Sequence, residues 1–299
     1  MKIIYDHDGK FDIDIYLNTE DLRDLDEIHH NFFRYLPFMQ IEANIFPDIE
    51  MDGLEYLSYI FPEIEMDDWD FTDVNIAGSD FSEVLSLPKN LPQVVQGKNL
   101  NGVKFPCIDM EDWDFNGVSV CDSDFCSVLS LPNNFLQVIE HKDILYTTFP
   151  FGMDMKTFDF TDVDVTGADL SWVKALPDNF LQVIRRKDIS EVKLPKIDMS
   201  LWDFRGVYID EFTEIDRESI LPTTEDFFKN IKTHHTECLL TENVIANIHL
   251  YDLNCGLEFN LQPYAKELTK TQLNIIRAKY PSLIGNKIYL PDDKDVSDS

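Results

Sequence analysis

Basic residues are in short supply in this chain. Its 299 residues include 25 lysines and arginines against 56 aspartates and glutamates, for a formal net charge of −31. Phosphate backbones are held by clustered Lys and Arg, so direct nucleic-acid binding is not expected. Glycine is also scarce, at 11 residues, and neither GxGxxG nor GxxxxGK[ST] occurs, which removes the glycine-rich nucleotide loops. No apolar run approaches the roughly 20 residues that cross a bilayer. The start, Met1-Lys2-Ile3-Ile4-Tyr5-Asp6, does not read as a signal peptide, so no membrane insertion is expected. The five cysteines (Cys107, Cys121, Cys126, Cys238, Cys255) are odd in number and form no CxxC. That pattern fits reduced thiols in a cytoplasmic setting rather than a disulfide framework.

What is present is a core and a repeat. Hydrophobic residues make up 44% of the chain, including 22 phenylalanines, enough to bury an interior despite the charge. Four segments align: MDDWDFTDVNIAGSDFSEVLSLP from Met66, MEDWDFNGVSVCDSDFCSVLSLP from Met110, MKTFDFTDVDVTGADLSWVKALP from Met155 and MSLWDFRGVYIDEFTEID from Met199. Their starts lie 44, 45 and 44 residues apart. The first three continue alike, as LPKNLPQVVQGKNL, LPNNFLQVIEHKDI and LPDNFLQVIRRKDI. Long matches at a fixed period are the mark of a stacked repeat.

A shorter period runs inside each unit. Apolar residues pair two apart and the pairs recur every five residues, as Ile108/Met110, Trp113/Phe115, Val118/Val120 and Ser123/Phe125. Neither helix nor plain strand has period five. A chain that turns a corner every five residues, pointing two side chains inward per side, does. DFTDVNIAGSDFS and DFTDVDVTGADLS resemble the pentapeptide-repeat family, whose unit reads roughly A-(D/N)-L-x-x. The resemblance implies right-handed coils with Phe71, Ile76 and Phe81 at the inward centre, Trp69, Val74 and Ser79 inward before them, and Asp70, Asn75 and Asp80 in the polar slot. Trp69, Trp113, Phe158 and Trp202 depart from it, standing where the family has a small residue, so the coil must be wider or open at that corner. The intervening stretch reads as a short helix that begins at Pro132 with Asn133 or Asn134 and buries Phe135, Val138 and Ile139. QVVQGKNLNGVKFP looks, alternatively, like the leucine-rich repeats of bacterial effectors; both resemblances imply a solenoid.

The expected architecture is therefore an α+β repeat solenoid of pentapeptide-like right-handed β-coils alternating with short helices. Residues 1–45 form an N-terminal β-hairpin and helix cap, with strands in Lys2–Tyr5 and Phe11–Tyr16 and a helix over Thr19–Tyr35. Residues 46–216 form the solenoid of about four units, and 217–299 a mostly helical C-terminal cap or small domain. In that last part helices are expected over Thr223–His235, capped by Thr224, and over Thr271–Lys279, with the final PDDKDVSDS frayed.

Candidate sites are few. Asp6, Asp8, Asp12 and Asp14 lack the glycine and closing glutamate of a calcium loop. His234, His235 and Cys238, with His249 and Cys255 nearby, read as a helix end rather than as zinc ligands or a thiol nucleophile. No metal, cofactor or catalytic residue is assigned. The repeat-phased carboxylates remain: Asp67, Asp68, Asp70, Asp73 and Asp80, then Glu111, Asp112, Asp114 and Asp124, then Asp159, Asp162, Asp164 and Asp169. Stacked units would align these in columns of like charge, which cost stability and so point to binding. The expected function is a non-catalytic protein–protein interaction module or regulator, presenting an acidic face to a protein partner with a basic surface. The effector-like repeat style adds delivery into a host cytosol as an expectation. The alternatives are a DNA mimic acting on an enzyme such as gyrase, and a small enzyme or metal site within 217–299.

Overall fold

The computed structural model describes residues 65–67 and 76–297, together with two strands near the start of the chain. These are β1 (Lys2–Ile3) and β2 (Ile15–Tyr16), paired antiparallel with Lys2 opposite Tyr16. The expected Thr19–Tyr35 helix and Trp69 lie outside the described residues.

The described chain mixes short helices with short strands and isolated bridges, and no sheet among them closes. Its order comes from parallel bridges between distant residues. One ladder runs Asp80–Lys104–Asp124–Thr148–Asp169–Lys193–Glu214, each rung 20 to 24 residues beyond the last. A second links Asn99 to Ser119, Asp143 to Asp164, and Asp188 through Tyr208 to Lys232. A third links Glu65 to Ser86, Asp109 to Ser130, Asp154 to Ala175 and Asp198 to Ile220. The chain thus returns beside itself every 20 to 24 residues, and each 44-residue sequence unit makes two passes.

Within a pass, turns recur every five residues, as at 151–152, 156–157, 161–162, 166–167 and 171–172. The inward side chains are the period-five pairs: Phe158, Phe160, Val163, Val165, Ala168 and Leu170 are all buried. Beside the first ladder they stack into columns. Phe81, Phe105, Phe125, Phe149, Leu170, Leu194 and Ile215 form one, with Phe105 and Phe125 stacked at 5.2 Å. Smaller residues form the column beside it, and their hydroxyls would be costly if unpaired in that apolar setting. Three of them find a carbonyl on a neighbouring pass: Ser123 Oγ donates to Leu100 O (2.6 Å), Thr147 Oγ1 to Val120 O (2.8 Å) and Thr213 Oγ1 to Ile189 O (2.9 Å).

One corner repeatedly takes the left-handed conformation, at Gly78, Gly102, Asp122, Tyr146, Gly167 and Glu191. Asp122, Tyr146 and Glu191 reach the same φ there, so at Gly167 the demand for glycine is one of space. A Cβ on it would meet the Tyr146 ring at 2.4 Å, because that ring lies across Gly167 so that its hydroxyl reaches Glu191 at 3.1 Å.

The long and short passes differ by one helical turn. Helices α1 (Leu91–Val94), α2 (Phe135–Val138) and α3 (Phe180–Val183) each follow a proline whose carbonyl accepts the first helical N–H. Asn90, Asn134 and Asn179 stand at their N-caps. Four residues cannot sustain a helix alone. Burial of Phe135 and Leu136, or Phe180 and Leu181, holds it. After α2 and α3 the chain turns extended at Ile139 and Ile184, with ψ 156° and 155°. The helix is also how the wide corner is filled. Phe135 packs edge-on against Phe115 at 4.8 Å, and Phe180 against Phe160 at 4.9 Å and Trp202 at 5.9 Å. The large aromatics and the helical insertion therefore go together: the helix lengthens one pass, and its Phe packs against aromatic residues of the adjacent passes.

The chain keeps this habit past residue 217. Bridges Asp198–Ile220 and Tyr208–Lys232 cross that point, and one continuous core runs from Met66 to Val296. The expected Thr223–His235 helix shrinks to α4 (Phe227–Asn230), with Asp226 rather than Thr224 at its N-cap. Ile231 must be extended because Asn230 O accepts Gly206 N–H and Lys232 bridges Tyr208, so the ladder overrides helix propensity. α5 (Glu242–Ala246) follows, then β3 (Phe259–Asn260), α6 (Lys270–Lys279) and β4 (Ile288–Tyr289), with β3 and β4 pairing in parallel. α6 matches the expected Thr271–Lys279 helix closely. Thr269 and Gln272 make a capping box, and Leu273 and Ile276 are buried. The tail is not frayed up to Ser297, which bridges Thr269 and bonds Leu268 O through both N–H and Oγ.

Candidate functional site

The described repeat-phased aspartates occupy corners, and most of them do the same local work. A side-chain oxygen accepts the backbone N–H two residues on, closing an Asx turn. Asp80 does so from Ser82 (3.0 Å), Asp114 from Asn116 (3.0 Å) and Asp124 from Cys126 (2.9 Å). Asp159 accepts from Thr161 (2.9 Å), Asp164 from Thr166 (3.3 Å) and Asp169 from Ser171 (3.0 Å). The polar slot of the five-residue period is therefore a staple for the turn. The residues outside the Asx set behave differently. Asp67 accepts the Ser86 hydroxyl at 2.7 Å and lies 3.8 Å from Lys89. Asp162 sits at a left-handed corner (φ 61°), 3.6 Å from Arg185 Nε. Glu111 and Asp112 are exposed on a turn. Asp68, Asp70 and Asp73 lie outside the described residues.

These carboxylates do not converge on one column. Five-residue steps put Asp159, Asp164 and Asp169 on successive sides of a single pass, so acid rings the stack. Along the first ladder, the intervening passes insert other residues between the acids. Lys104 stands between Asp80 and Asp124, and Lys193 between Asp169 and Glu214. Lys104 Nζ is 3.1 Å from Asp80, and Lys193 Nζ is 3.5 Å from Asp169 and 3.9 Å from Glu214. The column of like charge expected from the 44-residue period is thus an alternating one here, because a pass is half a unit.

At three corners hydrogen bonding lowers the carboxylate pKa. Burial alone would raise the Asp80 pKa, but the Ser82 hydroxyl and backbone, with Lys104, bring it below the ordinary carboxylate range. The Thr161 hydroxyl and then its backbone N–H lower Asp159. Asp203, gripped by the Arg205 guanidinium at 2.6 to 3.0 Å, falls to about 2. Each such acid is a fixed charge on a fixed corner.

The histidine–cysteine cluster has a different character. Burial pushes the Cys238 thiol up to about 12, far from a reactive thiolate. It also raises Cys255. His235 Nδ1 lies 3.8 Å from Glu211, and its backbone N–H bonds Thr233 Oγ1. Among the described residues, no three His, Cys, Asp or Glu side chains come together in a group that could hold a metal ion. No helix among the described residues is long and apolar enough to cross a membrane.

Two kinds of residue escaped the sequence reading. Gln137 donates Nε2 to Asp159 O at 2.7 Å, and Gln182 donates likewise to Asp203 O, joining passes at the helical corner. Their signal was visible, since glutamine recurs in every LPxNxxQV stretch. Arg185 reaches the carbonyls of His141 and Asp162 at 2.5 and 3.0 Å and lies 3.5 Å from Asp164. No repeat signal marks it, because the aligned residue is Glu140. No family model matches the chain, and no curated protein or solved structure shows significant similarity to it.

Proposed function

We propose that this protein is a non-catalytic interaction module: a right-handed, pentapeptide-like solenoid that offers a rigid acidic surface to a basic protein partner. The observation behind this reading is the Asx-stapled corner. A carboxylate whose oxygen accepts a backbone N–H cannot swing away, so at these corners part of the acidic surface is held on fixed points. Preorganised charge attracts a complementary surface without an ordering cost, and speeds encounter at low salt. The DNA-mimic alternative is less well supported, because Lys104 and Lys193 interrupt the acidic ladder.

The test exploits the staple. Asn retains the Asx oxygen and removes the charge, so the combined substitution Asp124→Asn, Asp159→Asn, Asp164→Asn and Asp169→Asn should fold with little change in Tm. It should also recover less partner protein in affinity capture at low salt. Equal recovery by both chains, at low and high salt alike, would sink the electrostatic reading.

A further inference from the structure

The repeat is broken twice at one spot. The return segment reads FPCIDM at 105–110 and LPKIDM at 194–199, but FPFGMDM at 149–155, one residue longer. The extra length is taken up at Gly152 (φ +73°), and it leaves Phe151 76% exposed. The second departure is Trp172, which replaces Glu83 and Ser127 of the aligned units and is 55% exposed. The two lie far apart in the repeat pattern yet meet on adjacent passes. Their ring centroids are 5.8 Å apart, and Gly152 N–H donates to Trp172 O at 2.8 Å. Exposed Leu129 and Cys126 lie on the preceding pass, where Cys126 O accepts the Phe151 N–H. An exposed apolar patch on an otherwise highly charged surface marks a contact site.

The surroundings say what fits there. From Lys104 to Asp178, the passes bearing the patch, fourteen carboxylates stand against four lysines. Asp154, three residues beyond Phe151, is half-exposed and pairs with Lys174, so the acidity belongs to the wider surface of these passes. An acidic surface around an aromatic centre complements a segment with an apolar face and basic flanks.

We infer that Phe151 and Trp172 form the anchoring point for a basic amphipathic helix of a protein partner. This rests on the acidic-surface reading above and gives it a location. The probes are two synthetic peptides of equal charge, one a leucine/lysine amphipathic helix and the other with its leucines replaced by glycine and serine. Calorimetry measures binding, and the part of the tryptophan fluorescence change that disappears in Trp172→Ser reports the environment of Trp172, since Trp69, Trp113 and Trp202 are common to both chains. The leucine/lysine peptide should bind with a blue shift, and Phe151→Ser/Trp172→Ser should weaken it about tenfold or more. The leucine-free peptide should bind weakly and indifferently to the substitutions. Trp172→Ser alone, which installs the residue found at aligned position 127, serves as a second variant of secure folding. Equal binding of both peptides would overturn the anchor while leaving the acidic surface standing. Binding that survives high salt but is lost in the double variant would keep the anchor and remove the electrostatic reading. No binding of either peptide would overturn both. A wild-type dimer that becomes monomeric in the double variant would reassign the patch to a second copy of this chain.

Discussion

The passes from Asp80 to Glu214 and the region from Arg217 to Ser297 stack in the same way but are written differently. In the first, corners outside the helical insertions come every five residues, and most are closed by an Asx turn or a left-handed residue. In the second, the period-five signal disappears, yet the chain still returns beside itself. Glu242 N–H donates to Arg217 O, Asp252 N–H to Glu225 O, Phe259 N–H to Lys287 O and Leu261 N–H to Tyr289 O. Specific side chains replace the regular corners. Tyr280 Oη donates to Tyr251 O and accepts the Leu253 N–H, each at 3.1 Å, and Tyr251 Oη donates to Pro222 O at 3.1 Å. Gln272 reaches the end of α5 at Ala246 O (2.7 Å). The difference teaches that sequence regularity reports the corners, whereas stacking requires only a continuous core and satisfied backbone groups.

The comparison can be broken most forcefully at Phe135. Replacing it with Ala removes the ring between Phe115, Phe125 and Phe149 and should cost about 3–5 kcal/mol in denaturant unfolding. If the core is continuous, the far C-terminal amides of α6 should lose hydrogen-exchange protection along with the repeat; unchanged protection there would divide the molecule in two. Next comes Tyr280→Phe, which strands Leu253 N–H and Tyr251 O in a buried site and should cost about 1–3 kcal/mol. A regular corner should tolerate more. Asp169→Ala removes one Asx acceptor and its Lys193 contact, worth about 1 kcal/mol, while Asp169→Asn keeps the acceptor and should fall within about 0.5 kcal/mol of wild type. If Asn proves as damaging as Ala, the staple is not the reason for the aspartate.

The smallest effect concerns pH. Asp203 is depressed to about 2, below an unfolded value near 3.9. Its contribution is therefore present above the unfolded value and is lost as pH falls through about 2. An NMR titration of the Asp203 carboxyl should show that low midpoint in wild type, and a midpoint moved up toward the ordinary value in Arg205→Ala. An unmoved midpoint would remove Arg205 as the cause.

Much of the repeat was legible beforehand, for physical reasons that particular residues show. Inward pairs such as Val163/Val165 had to be apolar, and the helix at Phe135 is announced by Pro132 and Asn134. The candidate site was less legible. The aspartates stood out by recurrence, but recurrence alone does not separate a turn staple from a binding charge. On the first ladder the expected like-charge column is interrupted, because the 44-residue period counts two passes and sequence alignment cannot see the interleaved Lys104 or Lys193; on the second, Asp143 stands directly beside Asp164.

By itself, the sequence determined the step length, the inward pairs and the acidic balance, because each is a local demand of a five-residue corner or a plain sum of charges. Only the tertiary structure decided what lies beside what. It placed lysines between aspartates, set Phe180 over Trp202, truncated the helix at Ile231, and brought Phe151 against Trp172. Those neighbours are set by how many residues each pass takes to come round, and that number depends on the packing of the passes above and below.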